Sequence, residues 1–154
     1  MSYSKDHFTL STKLTKAEVE EKISNGTLRR SSLLVEKTDK LFIGQINNQG
    51  FRIIGATPIA SLCVARGVFK DANDITEIQV ETSLHKPFLI LFTCWFVVLT
   101  MVIVGFAIKN SEIISYISRF LILMFAATIF RLLLHLGYVR SRDNTISMIE
   151  SIVA

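Results

Sequence analysis

The sequence predicts an α+β protein in which a small antiparallel sheet with one N-terminal helix is followed by a two-helix transmembrane hairpin and a short amphipathic C-terminal helix. Three observations predict it. Two long apolar stretches lie between Pro87 and Tyr138, separated by Lys109-Asn110-Ser111-Glu112. Several runs between Leu41 and Thr82 alternate apolar and polar residues, the period of a half-buried strand. Thr15-Lys16-Ala17-Glu18 has the form of a capping box, which starts a helix.

Taken in order, Phe8 to Leu14 alternates as a short strand does, and Thr15 then caps a helix with Glu18 reaching back. Leu14 before the cap and Val19 inside the helix match a hydrophobic staple, while Asn25-Gly26 supplies a left-handed residue to end it. Leu41 to Ile46 and Phe51 to Gly55 flank Asn47-Asn48-Gln49-Gly50, a composition that favours a hairpin turn. A third run, Leu62 to Phe69, ends in the polar turn Lys70 to Asp74. In the fourth, Ile78, Val80 and Thr82 alternate with Glu77, Gln79 and Glu81, giving one face for a core and one for water. The expectation is four or five antiparallel strands covered on one side by the Lys16 to Ser24 helix.

Pro87 to Ile108 carries no charge and has the roughly 20 residues that a helix needs to cross a hydrocarbon core. Pro87 suits the first turn of a helix, and only Leu84-His85-Lys86 separates it from the last strand. After the second stretch, Ile146, Ile149, Ile152 and Val153 recur at helical spacing, predicting an amphipathic tail that rests on the sheet or on lipid headgroups. The expected organisation is a cytoplasmic α+β domain over residues 1–86, transmembrane helices over 87–108 and 113–138, an external loop over 109–112, and a cytoplasmic tail over 139–154. Lys86, Arg140 and Arg142 anchor this topology by the positive-inside bias, against Lys109 offset by Glu112 in the loop.

Composition narrows the function classes. At 154 residues there is room for one small domain and a hairpin, which excludes a large catalytic architecture. The net charge of +4 comes from singly spread lysines and arginines without interleaved aromatics, so no nucleic-acid partner is expected. Cys63 falls in a strand and Cys94 in the first apolar stretch, a placement that argues against a bridge between them. His7, His85 and His135 lie in separate regions without acidic or thiol neighbours at ligand spacing, so neither metal nor cofactor is expected, and His85 beside Lys86 should sit at headgroup level. No phosphate loop, nucleophile elbow or tuned carboxylate pair is legible, and the chain reads as non-enzymatic. Gly44, Gly50, Gly55 and Gly67 fit turns or close strand packing.

The candidate intramembrane contact is polar. Arg131 and His135 interrupt the second apolar stretch one turn apart, with Thr128 on the same face, and Thr93 and Thr100 lie at comparable depth in the first. Two readings stand side by side. Arg131 snorkels to the inner-leaflet phosphates as an anchor, or it joins Thr93, Thr100 and Thr128 in a helix-helix contact within the hairpin or between copies.

Phe42-Ile43-Gly44, Phe51-Arg52-Ile53, Gly67-Val68-Phe69, Glu77-Ile78-Gln79-Val80 and Leu84-His85-Lys86-Pro87-Phe88 carry a family likeness through their order and spacing. With these segments the chain resembles a family of small, uncharacterised bacterial two-pass membrane proteins with a cytoplasmic sheet-containing domain. The resemblance implies a bacterial cytoplasmic membrane location with the sheet domain in the cytosol, and implies no activity. The Arg131 and His135 pair departs from the plainer second span of that family. A looser likeness to bacterial pleckstrin-homology-like domains rests on fold analogy. The functional expectation is a membrane-tethered interaction or adaptor module whose partners are the lipid bilayer and a membrane protein. The alternatives are a homo-oligomer forming a small polar path, and a lipid-acting enzyme.

Overall fold

In the computed structural model, residues 5–72, 75–109 and 113–154 are described. Residues 73–74 of the expected turn and 110–112 of the expected loop lie outside them. The chain is α+β, with the element order β1 (Asp6–Thr12), α1 (Lys16–Asn25), β2 (Thr27–Arg29), β3 (Phe42–Asn47), β4 (Gly50–Gly55), a short 3-10 turn (Ala60–Leu62), β5 (Cys63–Ala72), β6 (Ile75–Leu84), α2 (Lys86–Lys109) and α3 (Ile113–Val153). It divides into two compact units: the residues up to His85 together with Gly137–Ala154, and Lys86–Leu136.

The first unit is built on one six-stranded sheet in the order β1-β6-β5-β4-β3-β2. This corrects the expectation of four or five antiparallel strands, because β2 adds to β3 in parallel, with Thr27 opposite Phe42 and Arg29 opposite Gly44. A three-residue strand shows too little alternation to be legible, and its pairing exists only because the chain loops back over residues 30–41. A parallel neighbour needs about that length of connection, on the order of a dozen residues. Leu33 of this connection packs with Leu28 on Ile43, Ile54 and Val64, closing a small apolar cluster on one side of the sheet.

Local signals fix the rest. The capping box at Thr15 is formed from both sides: the Thr15 amide donates to Glu18 Oε2 at 2.8 Å and the Glu18 amide to Thr15 Oγ1 at 3.4 Å. The Thr15 amide, with the Thr15 hydroxyl donating to the same oxygen at 2.9 Å, holds the Glu18 carboxyl below the usual glutamate range. Helix α1 ends differently from the expectation, since Gly26 has φ −82° and is right-handed, and the Thr27 hydroxyl instead takes up the Ile23 carbonyl at 2.7 Å. In the β3–β4 hairpin, Asn47 Oδ1 accepts from the amides of Gln49 and Gly50, as the turn composition predicts. In β6 the alternation holds, with Ile78, Val80 and Thr82 buried. Gly67 leaves room for the Phe51 ring, which would collide with a Cβ there.

The core lies on the other side of the sheet. Val19 and Ile23 of α1 join Phe42, Phe51, Ile53, Ala65, Phe69, Ile78 and Val80, and the layer is completed by Ile149 and Val153. The amphipathic tail expected as a separate short helix is therefore the last part of the continuous 41-residue α3, and it covers the sheet. The Thr12 hydroxyl ties it down at its end by donating to the Val153 carbonyl at 2.8 Å.

The second unit contains α2 and the first part of α3. Helices α2 and α3 each contain a stretch long and apolar enough to cross a membrane, Lys86–Gly105 in α2 and Phe120–Val153 in α3. Among their contacts, Phe130 stacks on Phe92 with centroids 4.5 Å apart and on Trp95 at 5.5 Å.

Candidate functional site

The polar residues that the tertiary fold gathers lie in the sheet unit, where β1 and β6 meet residues 138–142 of α3. Register sets Asp6 opposite Thr82 at the end of the β1–β6 ladder. Asp6 Oδ2 accepts from the Tyr138 hydroxyl at 3.1 Å and from Arg142 Nη1 at 2.8 Å. Tyr138 also meets the buried Thr82 hydroxyl at 3.0 Å. Arg142 reaches Asp143 with its other nitrogens and lies 5.6 Å over the Phe8 ring. One helical turn supplies both Tyr138 and Arg142, four residues apart, so a single carboxylate clasps one helix face.

Beside it, Ser141 is fully buried between α3 and the turn before β5. Its hydroxyl donates to the Ala60 carbonyl at 2.8 Å and accepts from the Cys63 amide at 3.0 Å. Burial pushes the Cys63 thiol up to about 12, which leaves it protonated and unreactive at neutral pH. Cys63 and Cys94 are both free. Chemically the cluster is a partly buried set of hydrogen bonds that fastens a helix to a sheet.

His85, expected beside the membrane at the headgroup level, is buried within the sheet unit, with its amide bonded to the Leu62 carbonyl at 2.9 Å. Burial, with the nearby positive charge of Arg52, lowers its pKa below the ordinary histidine value, against an opposing contribution from the Ser61 backbone. The folded state thus prefers the neutral imidazole. As pH falls through the ordinary value of about 6.5, the unfolded chain takes up the proton first, so stability is lost toward lower pH and is unaffected above that value. Unfolding of the full chain in detergent at pH 7 and pH 5, followed by near-ultraviolet circular dichroism, should show a smaller acid loss for His85→Gln than for the wild type. Equal slopes would dismiss His85 as the source.

The residues singled out from sequence are distributed as follows. Arg131 and His135 are exposed on α3, and neither has a hydrogen-bond or ion-pair partner among the described residues. Thr93 and Thr128 are exposed and Thr100 is half-buried. Each of the three hydroxyls donates to the carbonyl four residues back on its own helix, at 2.8 to 2.9 Å. Hydrogen bonds therefore do not join these residues to one another. Of the three expected anchors, Lys86 and Arg140 are exposed, whereas Arg142 is engaged with Asp6. Asp6, Thr82, Tyr138 and Ser141 were not legible as a set. The one local hint was the Tyr138–Arg142 spacing, which places both on one face.

Among the described residues, no group of three or more histidine, cysteine, aspartate or glutamate side chains converges to hold a metal ion. Fold and cluster together define an α+β sheet unit fastened to the end of a long helix whose earlier part is apolar. No family model, curated protein or solved structure matches the chain, so the likeness drawn from sequence rests on the quoted segments alone.

Proposed function

We propose that this is a two-pass integral membrane protein in which α2 and the first part of α3 form a transmembrane hairpin and the sheet unit serves as a non-catalytic interaction module at the cytoplasmic surface. The observation that carries the reading is exposure. Ile90, Leu91, Val98, Met101 and Val102 of α2 are 51 to 69% exposed, as are Phe120, Leu121, Ile122, Phe125 and Leu132 of α3 at 57 to 68%. The core helix of a soluble protein hides such a face, and an apolar surface of this extent needs lipid or another protein to cover it. Helix α2, at 24 residues and about 1.5 Å per residue, is long enough for a bilayer core of about 30 Å.

Sidedness follows from Lys86, Arg140 and Arg142 on the sheet-unit side against Lys109 and Arg119 on the other, which favours the cytoplasm for both termini. A single residue, His85, separates β6 from α2 along the chain. An adaptor role draws support from the chemistry of the buried cluster, whose thiol is unreactive and whose hydrogen bonds are spent on holding α3. Crosslinking in native membranes should recover a specific protein partner that a chain lacking residues 1–85 does not recover. Capture of the same proteins by both chains would overturn the adaptor role.

A homo-oligomer with a polar path is the second reading, and what favours it is Arg131, which has no hydrogen-bond or ion-pair partner among the described residues. The threonine hydroxyls, already bonded within their own helices, argue against a threonine-lined path. Under the leading reading Arg131 is an anchor to lipid phosphate, so Arg131→Leu leaves both oligomeric state and ion leakage of reconstituted vesicles unchanged. A variant that dissociates or seals a wild-type leak would replace the anchor by the path.

A further inference from the structure

The sheet unit has one end where several independent features coincide. β4 finishes at Gly55, β5 starts at Cys63 and β6 finishes at Leu84, with Cys63 opposite Leu84 and Phe42 opposite Gly55. The turn over 56–62 and Leu41 therefore share that end, and the Ala56 amide bonds to the Leu41 carbonyl at 2.9 Å. His85, where the chain departs for the apolar helices, donates its amide to Leu62, and a Cβ on Gly137, where the chain returns, would lie 3.1 Å from a Leu62 methyl. Both connections thus abut the same turn.

That turn holds apolar side chains outward. Pro58 is exposed, Ile59 is 60% exposed and Leu41 41%. The arrangement is fixed by hydrogen bonds: the Ser61 amide donates to the Thr57 carbonyl at 2.9 Å, the Ser61 hydroxyl to the Pro58 carbonyl at 2.7 Å, and the Ala60 amide to the Thr57 hydroxyl at 3.3 Å. Ala60 and Ser61 are buried beneath, so Ile59 has no interior position to fold into. Lys40, exposed beside Leu41 and next to the exposed Asp39, has its ammonium donating to the Asn25 carbonyl at 2.9 Å and still presents a positive charge of the kind that anionic headgroups attract.

We propose that the turn Thr57–Ile59, with Leu41 beside it, is a lipid-contacting foot of the sheet unit that seats Pro58 and Ile59 among the headgroups of the bilayer. The inference rests on the two-pass reading, because the chain connections to the apolar helices leave and return at the end that carries this turn. Apolar side chains exposed on a rigid turn gain by entering the interface, and the positive Lys40 suits an anionic surface.

The test uses the full chain reconstituted in phosphatidylcholine/phosphatidylglycerol vesicles and an environment-sensitive fluorophore on Ile59→Cys, in a Cys94→Ser background. Cys63 stays unlabelled, being wholly buried. The expected result is blue-shifted emission at position 59, quenched by headgroup-region nitroxide lipids several-fold more than the same label on Asn48→Cys in the β3–β4 turn at the opposite end. Water-like, unquenched emission at position 59 would overturn the foot, and so would a blue shift without lipid quenching, which would mean that protein covers the turn. A label on Cys94 in the otherwise native chain separates the two levels. If Cys94 is quenched at depth and position 59 is not, the foot alone fails; if neither is quenched, the two-pass reading fails with it.

Discussion

Replacing Ile149 by aspartate is expected to unfold the sheet unit. Ile149 is fully buried in the cluster that unites α1, the sheet and the end of α3. Truncation to alanine at such a site costs about 2–5 kcal/mol. A domain of this size has about 5–15 kcal/mol of stability, so Ile149→Ala already consumes a large share. Aspartate adds an unpaired charge with no partner in an apolar layer, a penalty of several kcal/mol or more. In detergent, Ile149→Asp should lose the near-ultraviolet signal of the packed unit and become sensitive to protease at concentrations that spare the wild type. Ser147→Ala and Glu150→Ala, at exposed positions of the same turns, should stay within about 0.5 kcal/mol of wild type. Wild-type resistance in Ile149→Asp would mean that the end of α3 is not part of the core.

The second large effect concerns α2. Val98→Arg combined with Met101→Arg places two charges near the middle of the apolar stretch, on positions that are 59% and 69% exposed. Insertion scales charge about 2.5–3.5 kcal/mol for each, enough to turn a favourable insertion into an unfavourable one. The sheet unit, whose core contains neither residue, should keep its fold. The variant should become extractable at alkaline pH, or its C-terminal reporter should change sides as α3 inserts alone. A variant that resists extraction with both termini still cytoplasmic would sink the transmembrane role of α2.

Much of the fold was legible because its signals are short in range. Thr15 and Glu18 satisfy each other across three residues, Asn47 caps its own turn, and Ile78, Val80 and Thr82 show their face by period alone. The two apolar helices needed only length and a high apolar content, the first without a charge and the second interrupted by Arg131. The polar cluster was not legible, since Asp6 and Arg142 are separated by 136 positions and nothing near either residue announces the other. Arg142 read as an anchor for the same reason: a charge near an apolar stretch carries the same sequence signal whether lipid or a carboxylate receives it.

The sequence alone determined the start of α1, the strands that alternate and the two long apolar stretches, because capping, turn chemistry and periodicity are settled among neighbours in the chain. Only the tertiary structure decided that β2 pairs in parallel with β3, that the His85 side chain is buried, and that Ile149 and Val153 complete the core that α1 begins. Those outcomes depend on which surfaces meet across long separations, and a helix face such as that of Ile146, Ile149 and Val153 looks the same in sequence whether a sheet or a bilayer covers it.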